Sequence, residues 1–229
     1  MSTIAELMRV LQFGDSLLPV GAFSFSNGLE SAVQLGVVRD LDSLREFVKA
    51  AVEQAATSDG VAVLSAFRAA AAGDVEGIDR ADHAVFDRKL NEEMRTMTVR
   101  MGRKLAEMAD RVLGPSVAGE WLARIRAGET PGCLPVGQAL VFAALGLSER
   151  DAFAVHQYGV AGMMTNASLR MMKLHYLDVQ ALLFEVNADA EAAYARVVDH
   201  SLEDMAAFAP VFDVLASLHV GAHVRMFMN

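Results

Sequence analysis

The fold class is decided by residues 74–113, which read DVEGIDRADHAVFDRKLNEEMRTMTVRMGRKLAEMADRVL. Ala, Leu, Glu, Arg and Met dominate this stretch, and all five are strong helix formers. Charged residues interleave with the apolar ones, which is typical of helices that expose one polar face. Gly114 and Pro115 then end the pattern, because proline cannot continue a helix. The stretch therefore predicts one or two helices.

Helix signals also mark most of the chain on either side of these residues. No segment alternates apolar and polar residues over six positions between turn signals, which is the pattern of a half-buried strand. Further helices are predicted at residues 4–13, 28–35, 43–58, 61–72, 117–127, 136–145, 190–199 and 201–218, with another that begins at Ser148, and residues 166–186 form a strongly apolar stretch with charged residues interleaved. We therefore predict an all-α fold, a single domain of about ten helices with short connections over residues 1–229.

Three local patterns predict where helices begin. Asn27 precedes the second predicted helix and has a side chain suited to capping it. Ser43 followed three residues later by Glu46 matches a capping box. Ser148 followed by Asp151 gives a polar cap with an acidic residue in the first turn. Each pattern satisfies backbone amides that the helix itself leaves unpaired.

The composition excludes several classes of function. Hydrophobic residues make up 53% of the chain and charged residues 21%, so disorder is not expected. The net charge of -9 would repel nucleic-acid phosphates and anionic membrane surfaces. Cys133 is the sole cysteine, and the first residues do not form a secretory signal, so we expect a cytoplasmic protein. Residues 130–148 and 152–169 lack charge but contain Pro, Gly or polar residues, which favours buried helices over membrane spans.

The common sequence signals of catalysis are missing. The chain has no phosphate-binding loop of the Gly-x-x-x-x-Gly-Lys-Ser/Thr type and no Gly-x-Ser-x-Gly nucleophile turn. It also lacks Cys-x-x-Cys and the Glu-x-x-His pair of helical di-iron proteins. We therefore predict a protein that is not an enzyme.

Residues 12–30, QFGDSLLPVGAFSFSNGLE, form the most distinctive segment. Pro19 and Gly21 indicate a turn, because they interrupt any helical spacing. Small polar residues alternate here with apolar ones that look exposed. Each of these residues can also have a purely structural role. Asp15 and Ser16 would then accept hydrogen bonds from backbone amides, and the phenylalanines would fill the core.

This segment closely resembles the N-terminal signature of the UreF family, Ser-Asp-Ser-x-x-Pro-x-Gly-x-Phe/Tyr-Ser-x-Ser-x-Gly-Leu-Glu. Gly14 replaces the small polar residue that the family usually has before the Asp. The resemblance implies that the matching residues take part in binding partner proteins. They are Asp15, Ser16, Pro19, Gly21, Phe23, Ser24 and Glu30.

Two further stretches resemble internal parts of the same family. Residues 159–180, GVAGMMTNASLRMMKLHYLDVQ, match its Ser/Asn-Ala-x-x-Arg-Leu helix at Asn166 and Arg170, although 173–180 depart from its Pro-Leu-Gly-Gln segment. The methionines of this stretch are more typical of a core than of a metal path. Residues 95–103, RTMTVRMGR, match its Arg-x-x-x-x-x-x-Gly-x-Arg region, so Arg103 is a candidate partner contact or part of a solvated basic face.

The C-terminal residues 216–229, ASLHVGAHVRMFMN, resemble the family tail. His219, Arg225 and Phe227 match it, whereas Val220 stands where the family has Glu. A short apolar tail gains order only when it docks on something. The resemblance therefore implies a partner-binding tail at about residues 219–229.

Metal binding has only weak candidates in the sequence. His219 and His223 are four residues apart, a spacing that can hold a metal on a helix, but Gly221 weakens that helix. Packed or surface histidines explain the pair equally simply. Cys133 is expected to be a small core or loop residue rather than a nickel ligand.

The resemblance implies a helical cytosolic protein that forms a homodimer and holds no tightly bound cofactor. It would join UreD, also called UreH, and the GTPase UreG in a complex that inserts nickel into apo-urease, and it would influence the UreG GTPase. A different class is also open, namely a helical haem or oxygenase-like protein with His156 or His175 as axial ligand, or a nickel store.

Overall fold

The structure is a computed structural model that describes residues 3–15, 18–22, 25–207, 209–220 and 226–227. These ranges contain twelve α-helices and no β-strand, which confirms the all-α prediction. The helices are α1 (Ile4–Gly14), α2 (Leu29–Gln34), α3 (Leu41–Ala55), α4 (Val61–Ala72), α5 (Val75–Arg88), α6 (Glu92–Leu113), α7 (Val117–Ala127), α8 (Leu134–Ala144), α9 (Glu149–Met171), α10 (Tyr176–Asn187), α11 (Ala190–Val197) and α12 (Pro210–Val220).

Two predicted helix starts are wrong. The helix α3 begins at Leu41, where Asp40 Oδ1 accepts from the Ser43 backbone N–H at 2.8 Å and Ser43 Oγ accepts from the Asp40 N–H at 3.1 Å. Ser43 is thus the last residue of the box, at position N3, rather than its first, because a carboxylate caps as well as a hydroxyl. Asn27 does not cap α2, since Gly28 holds the N-cap position in a left-handed conformation with φ 80°. By contrast, Ser148 and Asp151 form the predicted cap of α9.

The predicted continuous helix at residues 201–218 is also wrong. A short 3-10 helix covers Leu202–Asp204, and α12 begins separately at Pro210. Proline has no backbone N–H to donate and disfavours helical geometry in the residue before it. Pro210 can therefore begin α12 but does not suit the interior of a helix that started at Ser201.

The apolar side chains pack into two clusters, and α9 contributes to both. The first cluster lies among α4, α5, α6, α7 and α8 and includes Trp121, Phe142 and Phe153. The second lies among α2, α3, α10 and α12 and includes Leu44 and Phe227. Because α9 spans 23 residues, its first turns pack in the first cluster and its last turns in the second. Burying this area removes apolar surface from water and is the main stabilising term.

A buried carboxylate fixes the connection between α7 and α8. Asp82 on α5 is fully buried, and its Oδ2 accepts from Trp121 Nε1 at 3.2 Å and from Thr130 Oγ1 at 2.7 Å. The same oxygen accepts from the Gly132 N–H at 2.8 Å, and Oδ1 accepts from the Cys133 N–H at 2.7 Å. Four donors therefore surround one charge, as burial of a carboxylate requires.

The helix α6 approaches this connection closely at Gly102. A methyl group on Gly102 would clash with the Gly132 carbonyl oxygen and crowd the backbone of Cys133. Any side chain at position 102 would therefore push α6 away from α8. Among the described residues, none of the helices combines the length and the apolar composition that crossing a bilayer requires.

Candidate partner-binding site

The N-terminal signature begins where α1 crosses α9. A methyl group on Gly14 would lie 3.2 Å from Val155 Cγ1, so the small residue permits the crossing. Asp15 follows as the exposed C-cap of α1, and its carbonyl accepts from the Leu18 N–H at 3.0 Å. The chain then turns through the exposed Pro19 to Gly21, which has φ 98°. Only glycine adopts this conformation readily, which explains its place in the signature.

The last residue of the signature, Glu30, binds the C-terminal segment of the same chain. Glu30 lies on α2 and is 3% exposed. Its Oε1 accepts from the Met226 N–H at 2.7 Å and its Oε2 from the Phe227 N–H at 2.9 Å. Gln34, one turn further along α2, donates to Glu30 Oε1 at 3.3 Å. The carboxylate therefore pairs the buried backbone amide of Phe227 and the partly buried amide of Met226.

Arg170 contacts the same segment from the other side. Its guanidinium carbon lies 4.0 Å from the centroid of the Phe227 ring, the geometry of a cation–π contact. Burial lowers the pKa of Arg170, although arginine keeps its charge in proteins. Phe227 itself is 3% exposed and belongs to the second apolar cluster. We call Glu30, Arg170 and Phe227 the tail clasp.

The clasp unites three residues that the sequence placed in three separate family motifs. The side chains of Glu30 and Phe227 lie inside the protein, so in this conformation they are not available to touch a partner directly, whereas Arg170 is partly exposed. The clasp instead holds Met226 and Phe227 against α2 and α9. The sequence singled out Glu30 as the last residue of the signature, whereas the burial of the first four residues of α2 shows only in the structure.

The other predicted site residues are spread over the surface or lie outside the described residues. Arg103 on α6 is exposed and pairs with Glu107 at 3.3 Å, whereas Asn166 on α9 lines a cavity. Neither lies among the clasp residues, and their roles in partner binding stay predictions. The residues outside the described ranges are Ser16, Phe23, Ser24, His223 and Arg225, together with the side chain of His219.

The described residues offer no cluster for a metal ion. No three His, Cys, Asp or Glu side chains in these ranges come together in a way that could hold one. Burial raises the pKa of the Cys133 thiol far above its usual range, which favours the neutral thiol in the structure described. His175 is the N-cap of α10 and stacks on Tyr176 at 4.8 Å. His156 is buried and pairs with Gln138.

Two helices that flank α9 expose apolar side chains. On α1, the residues Ile4, Leu7, Met8 and Leu11 are all more than half exposed, and their spacing places them on one face. On α10, Leu177 and Phe184 are exposed as well, with Phe184 at 82%. Both helices pack against α9. Contiguous exposed apolar surface is typical of protein–protein interfaces.

Comparisons with known proteins agree on one family. The family model described as UreF matches residues 38–187. "Urease accessory protein UreF 2" of Brucella canis is 52% identical over 227 residues, which cover 99% of this chain and 93% of that protein. "Urease accessory protein UreF" of Yersinia enterocolitica is 49% identical over 225 residues, covering 98% of this chain and 99% of that protein. Both alignments span the chain almost from end to end.

Proposed function

This chain belongs to the UreF family of urease accessory proteins, and we propose that it is a non-catalytic, cytoplasmic scaffold for nickel insertion. It would join UreD, also called UreH, and the GTPase UreG in the complex that loads apo-urease. The observation that carries this proposal is 52% identity to a urease accessory protein over 99% of the chain. Nickel would be the cargo of the complex, and GTP hydrolysis in UreG would drive its transfer through different affinities of the two nucleotide states.

We place the UreD contact on the C-terminal tail. The clasp supports this placement, because it holds Met226 and Phe227 at a fixed point on α2 and α9. A tail that is ordered beforehand loses less conformational entropy when it binds. The exposed residues around that point would then form the surface that UreD recognises.

Complex formation is the direct test of the scaffold function. The chain mixed with UreD and UreG, in the presence of GTP and nickel, should elute from a size-exclusion column as one larger species whose mass is measured by light scattering. Removal of residues 224–229 should abolish the shift in elution position that UreD causes, because it removes the tail. The far-ultraviolet circular dichroism should change little, since α12, the last helix in the described part of the chain, ends at Val220. An unchanged shift of the truncated chain would refute the tail contact, and no shift of the full chain would refute the scaffold.

We propose that the exposed face of α1 mediates the homodimer. Leu7 lies at the centre of that face, so Leu7→Glu should place a charge in a desolvated contact and convert the dimer into a monomer. The expected loss of affinity is at least about a hundredfold, or about 3 kcal/mol. Light scattering over a dilution series measures it. Val75→Glu is the matched control, since Val75 is also an exposed apolar residue but lies on α5. If the Leu7→Glu protein is still a dimer, the exposed face of α1 is not the dimer interface.

A further inference from the structure

A pocket with apolar walls lies between α5 and α7, and neither the signature nor the tail clasp contributes to it. Its volume is about 330 Å3. The α5 wall contains Val75 and Ile78, and the α7 wall contains Val117 and Trp121. Sites for small ligands typically have such walls and volumes of about 300–1,000 Å3, with a few polar groups that orient the ligand. We call it the α5–α7 pocket.

The α5–α7 pocket opens to solvent. Val75 is 43% exposed, and Glu120 and Ala123 on α7 are exposed as well. Ile78 and Trp121 are at most 4% exposed, so the wall extends from the surface into the first apolar cluster. A small molecule can therefore enter from solvent and cover apolar side chains that water otherwise contacts.

Two contacts between α5 and α7 fix the width of the pocket. Trp121 Nε1 donates to Asp82 Oδ2 at 3.2 Å, and the Arg124 guanidinium pairs with Asp79. Both contacts join a wall residue of α7 to a carboxylate of α5. The walls are therefore positioned before a ligand arrives, which lowers the ordering cost of binding.

The charged side chains at the pocket give it a net negative charge. Arg124 pairs with Glu129 at 2.8 Å as well as with Asp79, so its positive charge is already neutralised. Glu120 forms no ion pair or side-chain hydrogen bond with any described residue. Three carboxylates thus accompany one guanidinium, and the free carboxylate belongs to a wall residue. This arrangement attracts a cationic group and repels an anionic one.

We propose that the α5–α7 pocket binds a small organic cation that carries an ammonium group on an apolar body. The body lies against Val75, Ile78 and Val117, and the ammonium group lies beside Glu120. Burial of the body supplies most of the affinity, since an exposed ion pair contributes little. The site is independent of the scaffold function, because its residues belong neither to the signature nor to the clasp.

The test compares three probes that share one aromatic ring and differ in charge, namely 2-phenylethylammonium, 2-phenylethanol and phenylacetate. Titration of the full chain, followed by saturation-transfer nuclear magnetic resonance of the probe, gives each Kd. The ammonium should bind saturably with a Kd of about 1 mM or below, about threefold more tightly than the alcohol and at least about tenfold more tightly than phenylacetate. Since Trp121 is the only tryptophan of the chain, its fluorescence should follow the same binding curve. Equal affinity for the ammonium and phenylacetate, or no saturable binding of the ammonium, would overturn the proposal.

Two variants of α7 separate binding in the pocket from diffuse attraction of a cation to an acidic protein. Ala123 lines the pocket, whereas Ala127 lies one turn further along α7, is also exposed and does not line it. Ala123→Leu should fill the space and weaken binding of 2-phenylethylammonium at least about tenfold, and Ala127→Leu should leave it unchanged. Both substitutions keep the net charge, so diffuse attraction is the same in the two variants. Binding that survives Ala123→Leu would contradict the assigned site.

Glu120→Gln tests the charged contact in the same pocket. The substitution keeps the size of the side chain and removes its charge, so the preference of about threefold for the ammonium over the alcohol should disappear. Binding of 2-phenylethanol should not change. A preference for the ammonium that persists in Glu120→Gln would show that this carboxylate does not bind the ammonium group.

Discussion

Asp82→Ala should destabilise this protein by at least about 4 kcal/mol, because it leaves buried donors without an acceptor. The donors belong to Trp121, Thr130, Gly132 and Cys133, and all four hydrogen bonds are 3.2 Å or shorter. A loss of this size is a large part of the total stability of a typical domain, about 5–15 kcal/mol. Urea denaturation followed by circular dichroism at the helix bands measures it.

Two further variants show whether the acceptor geometry is the cause. The free energy of unfolding of Asp82→Asn should fall between those of the wild type and Asp82→Ala. The amide oxygen of Asn can still accept from the three donors at Oδ2, whereas its NH2 group faces the N–H of Cys133 and cannot accept from it. Asp79→Ala is the matched control on α5, where the carboxylate pairs with the half-exposed Arg124. That ion pair should contribute about 1 kcal/mol or less. If Asp82→Ala costs no more than Asp79→Ala, the buried carboxylate does not hold the connection to α8.

Glu30→Ala should release the C-terminal segment and weaken UreD binding at least about tenfold. Without the carboxylate, the N–H groups of Met226 and Phe227 lose their acceptor, and the buried N–H of Phe227 alone costs about 1–3 kcal/mol. Only a minor fraction of the molecules then has the tail docked. The apparent affinity for UreD falls in proportion to that fraction. Hydrogen exchange should show faster exchange at these two amides, and calorimetric titration with UreD gives the affinity.

Gln34→Ala provides the control for Glu30→Ala. Gln34 lies on the same helix and donates to the same carboxylate, but its removal leaves in place the Glu30 oxygens that accept from the tail amides. Its loss should therefore leave both hydrogen exchange and UreD affinity nearly unchanged. Faster exchange with unaltered UreD affinity in Glu30→Ala would show that docking of the tail is separate from partner binding, and the clasp would then serve stability alone.

Much of the fold was predictable because helix formation depends on near neighbours. The helix at residues 61–72 and the cap formed by Ser148 and Asp151 both depend on groups within four residues of each other, and both predictions are confirmed. The predictions failed where several local caps competed, as at Asp40 and Ser43. The family could also be recognised from the segment at residues 15–30, because the identities and spacing in a motif belong to the sequence itself.

The sequence alone therefore determined the all-α class and the family, since composition, helix signals and motif spacing need no knowledge of distant contacts. Only the tertiary structure decided that Glu30 binds Phe227, across 197 positions of the chain, and that Asp82 collects donors from α7 and the segment before α8. The physical reason is that a buried charge is stable only where several donors converge on it. Which donors converge depends on how the helices cross, and no local pattern records that crossing.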